Sequence, residues 1–186
     1  MSEEVEFVQF DKIARLSRGI VITEKIDGTN ATIYISGTGT DDVTFLTGSR
    51  TRWITTQDDN YGFANWAHEH KAELLGLGDG WHRGEWWGAG IQRRYGMTEK
   101  VFSLFNVGRW NALTPPPACC RVVPVLWEGT MNMAPIDTII QNLVAEGSSA
   151  APGFMDLEGI VIYHSASKTY YKKTIKNDDQ PKSVSK

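Results

Sequence analysis

Along the chain, short runs of alternating apolar and polar residues outnumber stretches with helical spacing. Ile20–Glu24 and Ala31–Ile35 read as strands on either side of a Gly-containing turn. Val43–Thr47, Trp81–Trp86, Val101–Phe105, Val122–Leu126, Leu157–Tyr163 and Thr169–Ile175 are further strand candidates. Two segments carry helical spacing. The first runs from about Tyr61 to Leu75: Asp59 or Asn60 can cap it, Phe63, Ala67 and Leu74 share a face, and Gly76 and Gly78 end it. The second runs from about Pro135 to Glu146, with Ile136, Ile139, Ile140, Leu143 and Val144 in a stripe, Pro135 in the first turn and Gly147 at the stop. Both stripes are core surfaces, and the whole pattern predicts an α+β fold.

Thr114-Pro115-Pro116-Pro117 is a stiff surface connection and Gly147–Gly153 a small-residue loop. Neither is long enough to separate two domains. One domain over residues 1–176 is expected, followed by a flexible basic tail, 177–186. That end of the chain is read as basic from six lysines between Lys168 and Lys186, set against Asp178 and Asp179.

Composition narrows the function classes. At 186 residues, 41% hydrophobic and 22% charged, the chain suits one ordinary globular domain. No run approaches the roughly 18–20 apolar residues that span a bilayer, and the acidic start MSEEVEFVQF lacks a signal-peptide core, so a cytoplasmic protein without membrane association is expected. Cys119 and Cys120 are adjacent, with no further cysteine to complete a zinc site, and are expected to be reduced thiols. A net charge of −3 excludes a global positive field but leaves room for a local basic track. His68-Glu69-His70 sends its two imidazoles to different sides of a helix, a poor metal pair. There is no Walker lysine motif, dinucleotide fingerprint or nucleophile elbow. The seven tryptophans read mostly as core.

The segment with the most chemistry is Glu24-Lys25-Ile26-Asp27-Gly28-Thr29-Asn30. Asp-Gly between two β-runs is a good hairpin turn. That reading gives no reason for a lysine at the strand end, whereas a nucleophilic amine is favoured by partial burial and nearby cations. Taken alone, the segment fits either reading equally.

Other motifs follow it in a fixed order. Lys25-Ile26-Asp27-Gly28 resembles motif I of the ATP-dependent ligase and capping-enzyme superfamily, and Gly48-Ser49-Arg50-Thr51-Arg52 resembles motif Ia. Gly84-Glu85-Trp86-Trp87-Gly88 with Ala89-Gly90-Ile91-Gln92 is similar to motif III, and Phe102-Ser103-Leu104-Phe105-Asn106 to motif IIIa. Glu158-Gly159-Ile160-Val161 resembles motif IV and Tyr171-Lys172-Lys173 motif V. Each is weak singly; in order along most of the chain they are specific. The Glu-Lys-Ile-x-Gly-Thr-Asn form is most similar to the branch of phage RNA ligases and RNA-editing ligases.

That resemblance implies a ligase-type nucleotidyltransferase (adenylation) domain, with antiparallel sheets flanked by helices around an ATP cleft. It implies an ATP-dependent RNA ligase that uses Mg2+ or Mn2+, with Lys25 taking AMP and passing it to a 5′-phosphate end for attack by a 3′-hydroxyl. Residue by residue, Glu24, Asp27 and Asn30 belong to the nucleotide site, Arg50 meets phosphate, and Glu85 binds a ribose hydroxyl. Phe105 stacks on adenine. Glu158 holds the metal through water, and Lys172, with Lys176 second, neutralises phosphate charge. Two positions depart from the pattern: Asn106 stands where many relatives have Asp, and motif V is usually Lys-x-Lys. The resemblance covers only a nucleotidyltransferase core, so a partner protein replacing the C-terminal domain is one expectation. A DNA ligase core, a capping-type nucleotidyltransferase and a non-catalytic ligase-derived nucleic-acid-binding module are the alternatives. RNA with 5′-phosphate and 3′-hydroxyl ends is the favoured partner, and RNA repair the expected setting.

Overall fold

The computed structural model describes residues 6–178. Among them are β1 (Gly19–Lys25), β2 (Thr29–Ser36), β3 (Thr44–Gly48), β4 (Trp53–Ile54), β5 (Gly80–Gly88), β6 (Lys100–Leu104), β7 (Cys120–Val122), β8 (Val125–Thr130), β9 (Gly159–His164) and β10 (Thr169–Thr174). Three α-helices accompany them: α1 (Phe63–Glu69), α2 (Lys71–Leu74) and α3 (Ile136–Glu146). The strands form a four-stranded sheet, order β10-β9-β1-β8, and a six-stranded sheet, order β4-β3-β2-β5-β6-β7. Every pairing is antiparallel except β6 with β7.

Alternation explains which face each sheet buries. In β1, Ile20 and Ile22 join Ile160, Ile162 and Leu157 against Ile139 and Leu143 of α3. In β2, Ala31, Ile33 and Ile35 pack with Phe102 and Leu104 of β6 against Phe63, Ala67 and Leu74 of α1 and α2. Truncating one of these wholly buried side chains, Ile22 or Ile33 for example, costs about 2–5 kcal/mol. Each sheet thus spends one face on its helices and carries Lys25 or Glu85 on the other. A third cluster, Ile26, Trp87, Tyr95, Val101 and Val123, lies where the two sheets meet.

The first helix starts later than expected. Tyr61 and Gly62 have φ of 53° and 81°, outside the right-handed region, so α1 begins at Phe63. Asp59 still satisfies the first turn: its carboxylate accepts from Ala64 N (2.7 Å) and Asn65 N (3.0 Å). His70, with φ −97° and ψ 13°, separates α1 from α2. The strand expected over Val122–Leu126 is two strands. The break falls at Val123-Pro124, where proline cannot donate to a ladder and the chain passes from one sheet to the other. The expected α3 stripe is buried at Ile139 and Leu143, while Val144 is exposed. The tail beyond Asp178 lies outside the described residues. Of the six lysines at this end, Lys172 and Lys173 lie in β10, with Lys168 just before it and Lys176 just after.

Candidate active site

Lys25 is the last residue of β1 and pairs with Gly159, the first residue of β9. That register sets Glu158 beside it, and Lys25 Nζ donates to Glu158 Oε2 at 2.7 Å. The glutamate side chain is 2% exposed and the lysine 21%, so the pair lies largely out of water with an opening on the amine side. Gly159 has φ of 151°, and a Cβ there would collide with the Lys173 carbonyl on β10. Glycine is what allows β9 to begin so close to its neighbour.

The turn after Lys25 is not a hairpin. β1 pairs with β8 and β9, and β2 with β3 and β5, so Ile26-Asp27-Gly28 carries the chain between sheets. Gly28 lies flat on β5: an added Cβ would meet Trp86 O at 2.5 Å. Its N–H donates to Glu85 Oε1 at 3.0 Å, and Asn30 Nδ2 donates to Glu85 Oε2 at 3.0 Å. Glu85 is buried, and burial raises its pKa to about 7. The Lys25 charge and the two hydrogen bonds oppose that rise, and the Glu158 charge adds to it. Glu85, Glu158 and Lys25 therefore act on one another electrostatically.

Two residues missed at the level of sequence hold this arrangement. Arg93 Nε donates to Asp27 Oδ2 at 2.9 Å, and its terminal nitrogen donates to the carbonyls of Asp156 (2.8 Å) and Leu157 (3.0 Å). One guanidinium thus ties the turn after Lys25 to the chain just before Glu158. Tyr95 Oη accepts from Asp27 N at 2.8 Å, and burial pushes the phenol up. The loop carrying both is strained, with Gln92, Arg94 and Tyr95 at φ of 43°, 60° and 51°. Its signal in the sequence is Arg93-Arg94-Tyr95-Gly96 directly after the Ile-Gln of the third motif.

The remaining candidates divide. Arg50, Asn30 and Phe105 line an open cleft of about 470 Å³. Phe105 is half-buried, touching the junction cluster on one side and the cleft on the other. Lys172 pairs with Val161, which pairs with Thr23, so Lys172 shares the sheet face of Lys25. Lys173 pairs with Ile160 on the opposite face. Lys176 binds Asp156 Oδ1 at 2.8 Å, beside Arg93. Alternation sends Glu24 to the face opposite Lys25, where its carboxylate accepts from Ser148 Oγ (2.6 Å) and Ala150 N (2.9 Å). Asn106 Oδ1 accepts from Arg109 N at 3.1 Å and closes a turn, which gives an amide at this position a local purpose. Trp86, Trp87 and Trp110 are buried and Trp66 and Trp127 pack against the core, as expected for most of the seven tryptophans, while Trp53 and Trp81 are exposed.

Among the described residues, no three His, Cys, Asp or Glu side chains converge as a metal cage. A carboxylate beside the amine, with a second acting on it through space, suits a hydrated divalent ion that keeps most of its waters. Among the described residues, no helix is long and apolar enough to cross a membrane.

A family model of RNA ligases matches residues 18–177. The chain belongs to the RNA ligase family. It carries that family's nucleotidyltransferase fold, as the solved structures of an RNA ligase from Naegleria gruberi show. The form with pyrophosphate aligns with a TM-score of 0.58 at 20% identity, covering 85% of this chain and 50% of that one. A substituted form with ATP and Mn gives 0.57 at 20% identity, covering 84% and 48%. One with AMP and Mn gives 0.57 at 19%, covering 86% and 50%. This RNA ligase family member therefore spans about half the length of those chains. No curated protein matches it.

Proposed function

We propose that this chain is the adenylylating core of an ATP-dependent RNA ligase, with Lys25 as its nucleophile. The observation that carries the reading is the Lys25–Glu158 contact of 2.7 Å, with Glu85 acting on both through space and bonded to Asn30 of the cleft. The neutral amine attacks the α-phosphorus of ATP; a P–N bond forms as the P–O bond to pyrophosphate breaks, and the amine proton leaves to Glu158 or water. AMP then passes to a 5′-phosphate end, and a 3′-hydroxyl attacks to form the phosphodiester and release AMP. RNA is the favoured strand and repair of broken RNA the favoured setting.

Phe105 offers adenine a ring face, and Glu85 accepts from a ribose hydroxyl with the lone pairs that Gly28 and Asn30 leave over. Arg50 and Lys172 meet phosphate, with Asn30 beside them and Lys176 second, on release from Asp156. Asp27 and Glu24 act by position: Asp27 anchors the Arg93 clasp, and Glu24 fixes the loop behind Lys25. Glu158 would hold magnesium or manganese through water. The ion, when bound, offsets negative charge on the phosphates. The neighbours with ATP and Mn support both cofactors.

The test is incubation with α-labelled ATP or GTP and magnesium, followed by denaturing electrophoresis. Label from ATP, absent with GTP and lost in Lys25→Ala, is the expected result. Label from GTP alone points to a capping-type enzyme, and no label from either overturns the reading. A second arm supplies pre-adenylylated strand and reads sealing by the chain alone or with a partner protein.

A further inference from the structure

Two tryptophans lie on the surface where the cleft opens. Trp53 on β4 and Trp81 on β5 are 46% and 56% exposed, and they stack with centroids 5.4 Å apart and planes at 21°. Tyr34 on β2 adds a ring 4.9 Å from Trp81, and the Arg83 guanidinium lies 5.5 Å from the Trp81 centroid. The shelf has its own support. Gly48 pairs with Trp53, and a Cβ at Gly48 would come within 3.2 Å of the indole, so glycine lets that ring lie against β3. Adjacent exposed aromatic faces of this kind mark an interaction surface.

Their place in the fold indicates what they meet. Trp81, Arg83 and Glu85 alternate along one side of β5, which sets Trp81 about 13 Å along the strand from Glu85. The open cleft runs past Asn30, Phe105, Arg50 and Arg83 to Trp53 and Trp81 without interruption. On the other sheet, Tyr163 and Tyr170 pair directly on the face of Lys25, with rings 4.8 Å apart. The Arg83 charge acts on the Tyr170 hydroxyl across the two sheets. Among the described residues, neither Arg50 nor Arg83 has an ion-pair partner.

The geometry points to Trp53, Trp81 and Arg83 as a stacking site for bases of the single-stranded RNA whose end is sealed at Lys25. Indole faces take any base, and a guanidinium beside them takes the connecting phosphate, which is the chemistry of sequence-tolerant single-strand binding. The assignment rests on the ligase reading above, in which Phe105 serves adenine nearer the lysine.

The test compares equilibrium binding of a 5′-phosphorylated single-stranded RNA oligonucleotide with formation of the AMP adduct, using the full chain. Trp53→Ala and Trp81→Ala should each weaken RNA binding about tenfold, while adduct formation stays within about twofold of the parent. Trp81→Phe should retain most of the affinity, because a ring remains. An abasic strand should erase the Trp81→Ala penalty yet keep that of Arg83→Ala, which acts on phosphate. Unchanged RNA binding in both alanine variants overturns the proposal, as does a parent chain that binds no RNA. Loss of the AMP adduct with RNA binding intact would assign the shelf to ATP and also overturn it. A parent that forms no adduct but binds RNA through Trp81 sinks the ligase reading and leaves the shelf standing.

Discussion

Lys25 Nζ and Glu158 Oε2 lie 2.7 Å apart although 133 residues separate them in sequence. The register of β1 with β9 brings them together, and burial of the carboxylate makes the contact expensive to break. Removing one partner of such a pair leaves the other charge short of compensation.

Lys25→Ala and Lys25→Arg are both expected to abolish the AMP adduct, since a planar, permanently protonated guanidinium is no amine nucleophile. Lys25→Ala should also lower stability by about 3 kcal/mol, less if water reaches Glu158 through the vacated space. Chemical denaturation of parent and variant measures the second effect. Persistent label in both variants removes Lys25 from the chemistry.

Arg93 touches three points of the site frame, so its loss should act on rate more than on nucleotide choice. Arg93→Ala is expected to slow adduct formation about tenfold or more, because displacements of about 1 Å are costly to in-line transfer. Lysine at 93 should rescue only in part, as a single ammonium cannot reach Asp27 and both carbonyls in one plane. Adduct formation at saturating ATP reads this directly. Full rescue by lysine would show that charge alone matters.

The sequence carried the motif residues because chemistry restricts their type, and it carried the strands because alternation survives in β1, β2 and β9. It also placed both helices, though Tyr61 and Gly62 shortened the first through backbone angles that composition does not reveal. Asp27-Gly28 was ambiguous for a physical reason: a hairpin turn and a crossing between sheets use the same residues, and only pairing partners distinguish them. Arg93 and Tyr95 were hidden because their roles depend on contacts with Asp27 more than sixty positions away. Most of the tryptophans are core, as a large ring ordinarily is, but which ones are not was illegible: the exposure of Trp53 and Trp81 follows from the open cleft-side face of the second sheet.

Burial raises the Glu85 pKa from 4.5 to about 7, so between those values the folded chain holds a proton that the unfolded chain releases. The stability this group contributes is therefore full below about 4.5 and lost as pH rises through about 7. Glu85→Gln lacks the titration. The stability of the parent relative to Glu85→Gln should fall by about 3 kcal/mol across that window and level off above it. Urea melts on each side of the window provide the comparison, and a difference independent of pH would contradict a raised pKa.

Arg50 and Arg52 belong to one motif but differ in their partners. Both line the cleft, but Arg52 is held by Asp58 through two contacts, 2.5 Å and 3.0 Å, whereas Arg50 has no ion-pair partner among the described residues. Arg50→Ala should reduce sealing of a 5′-phosphorylated strand more than it reduces Lys25 labelling, and the deficit should deepen with salt. Arg52→Ala should reduce sealing less than Arg50→Ala does, since Asp58 already engages that guanidinium. If Arg50→Ala seals pre-adenylylated ends as well as the parent, Arg50 does not contact the strand.

Adjacent lysines on β10 give a sharper contrast. Lys172 shares the sheet face of Lys25, while Lys173 lies on the face of Ile160, with its amine 3.9 Å from Asp178. A cation over the α-phosphate stabilises charge that grows as pyrophosphate leaves, so its effect should fall on the chemical step. Lys172→Ala is expected to slow adduct formation by about a hundredfold at saturating ATP, in line with loss of one preorganised donor. Lys173→Ala should stay within about twofold, because an exposed ion pair adds little to stability and the side chain does not share the cleft face. Rapid-quench measurement of the AMP adduct separates the two variants, and equal loss in both would mean that β10 positions its lysines by charge density and not by face.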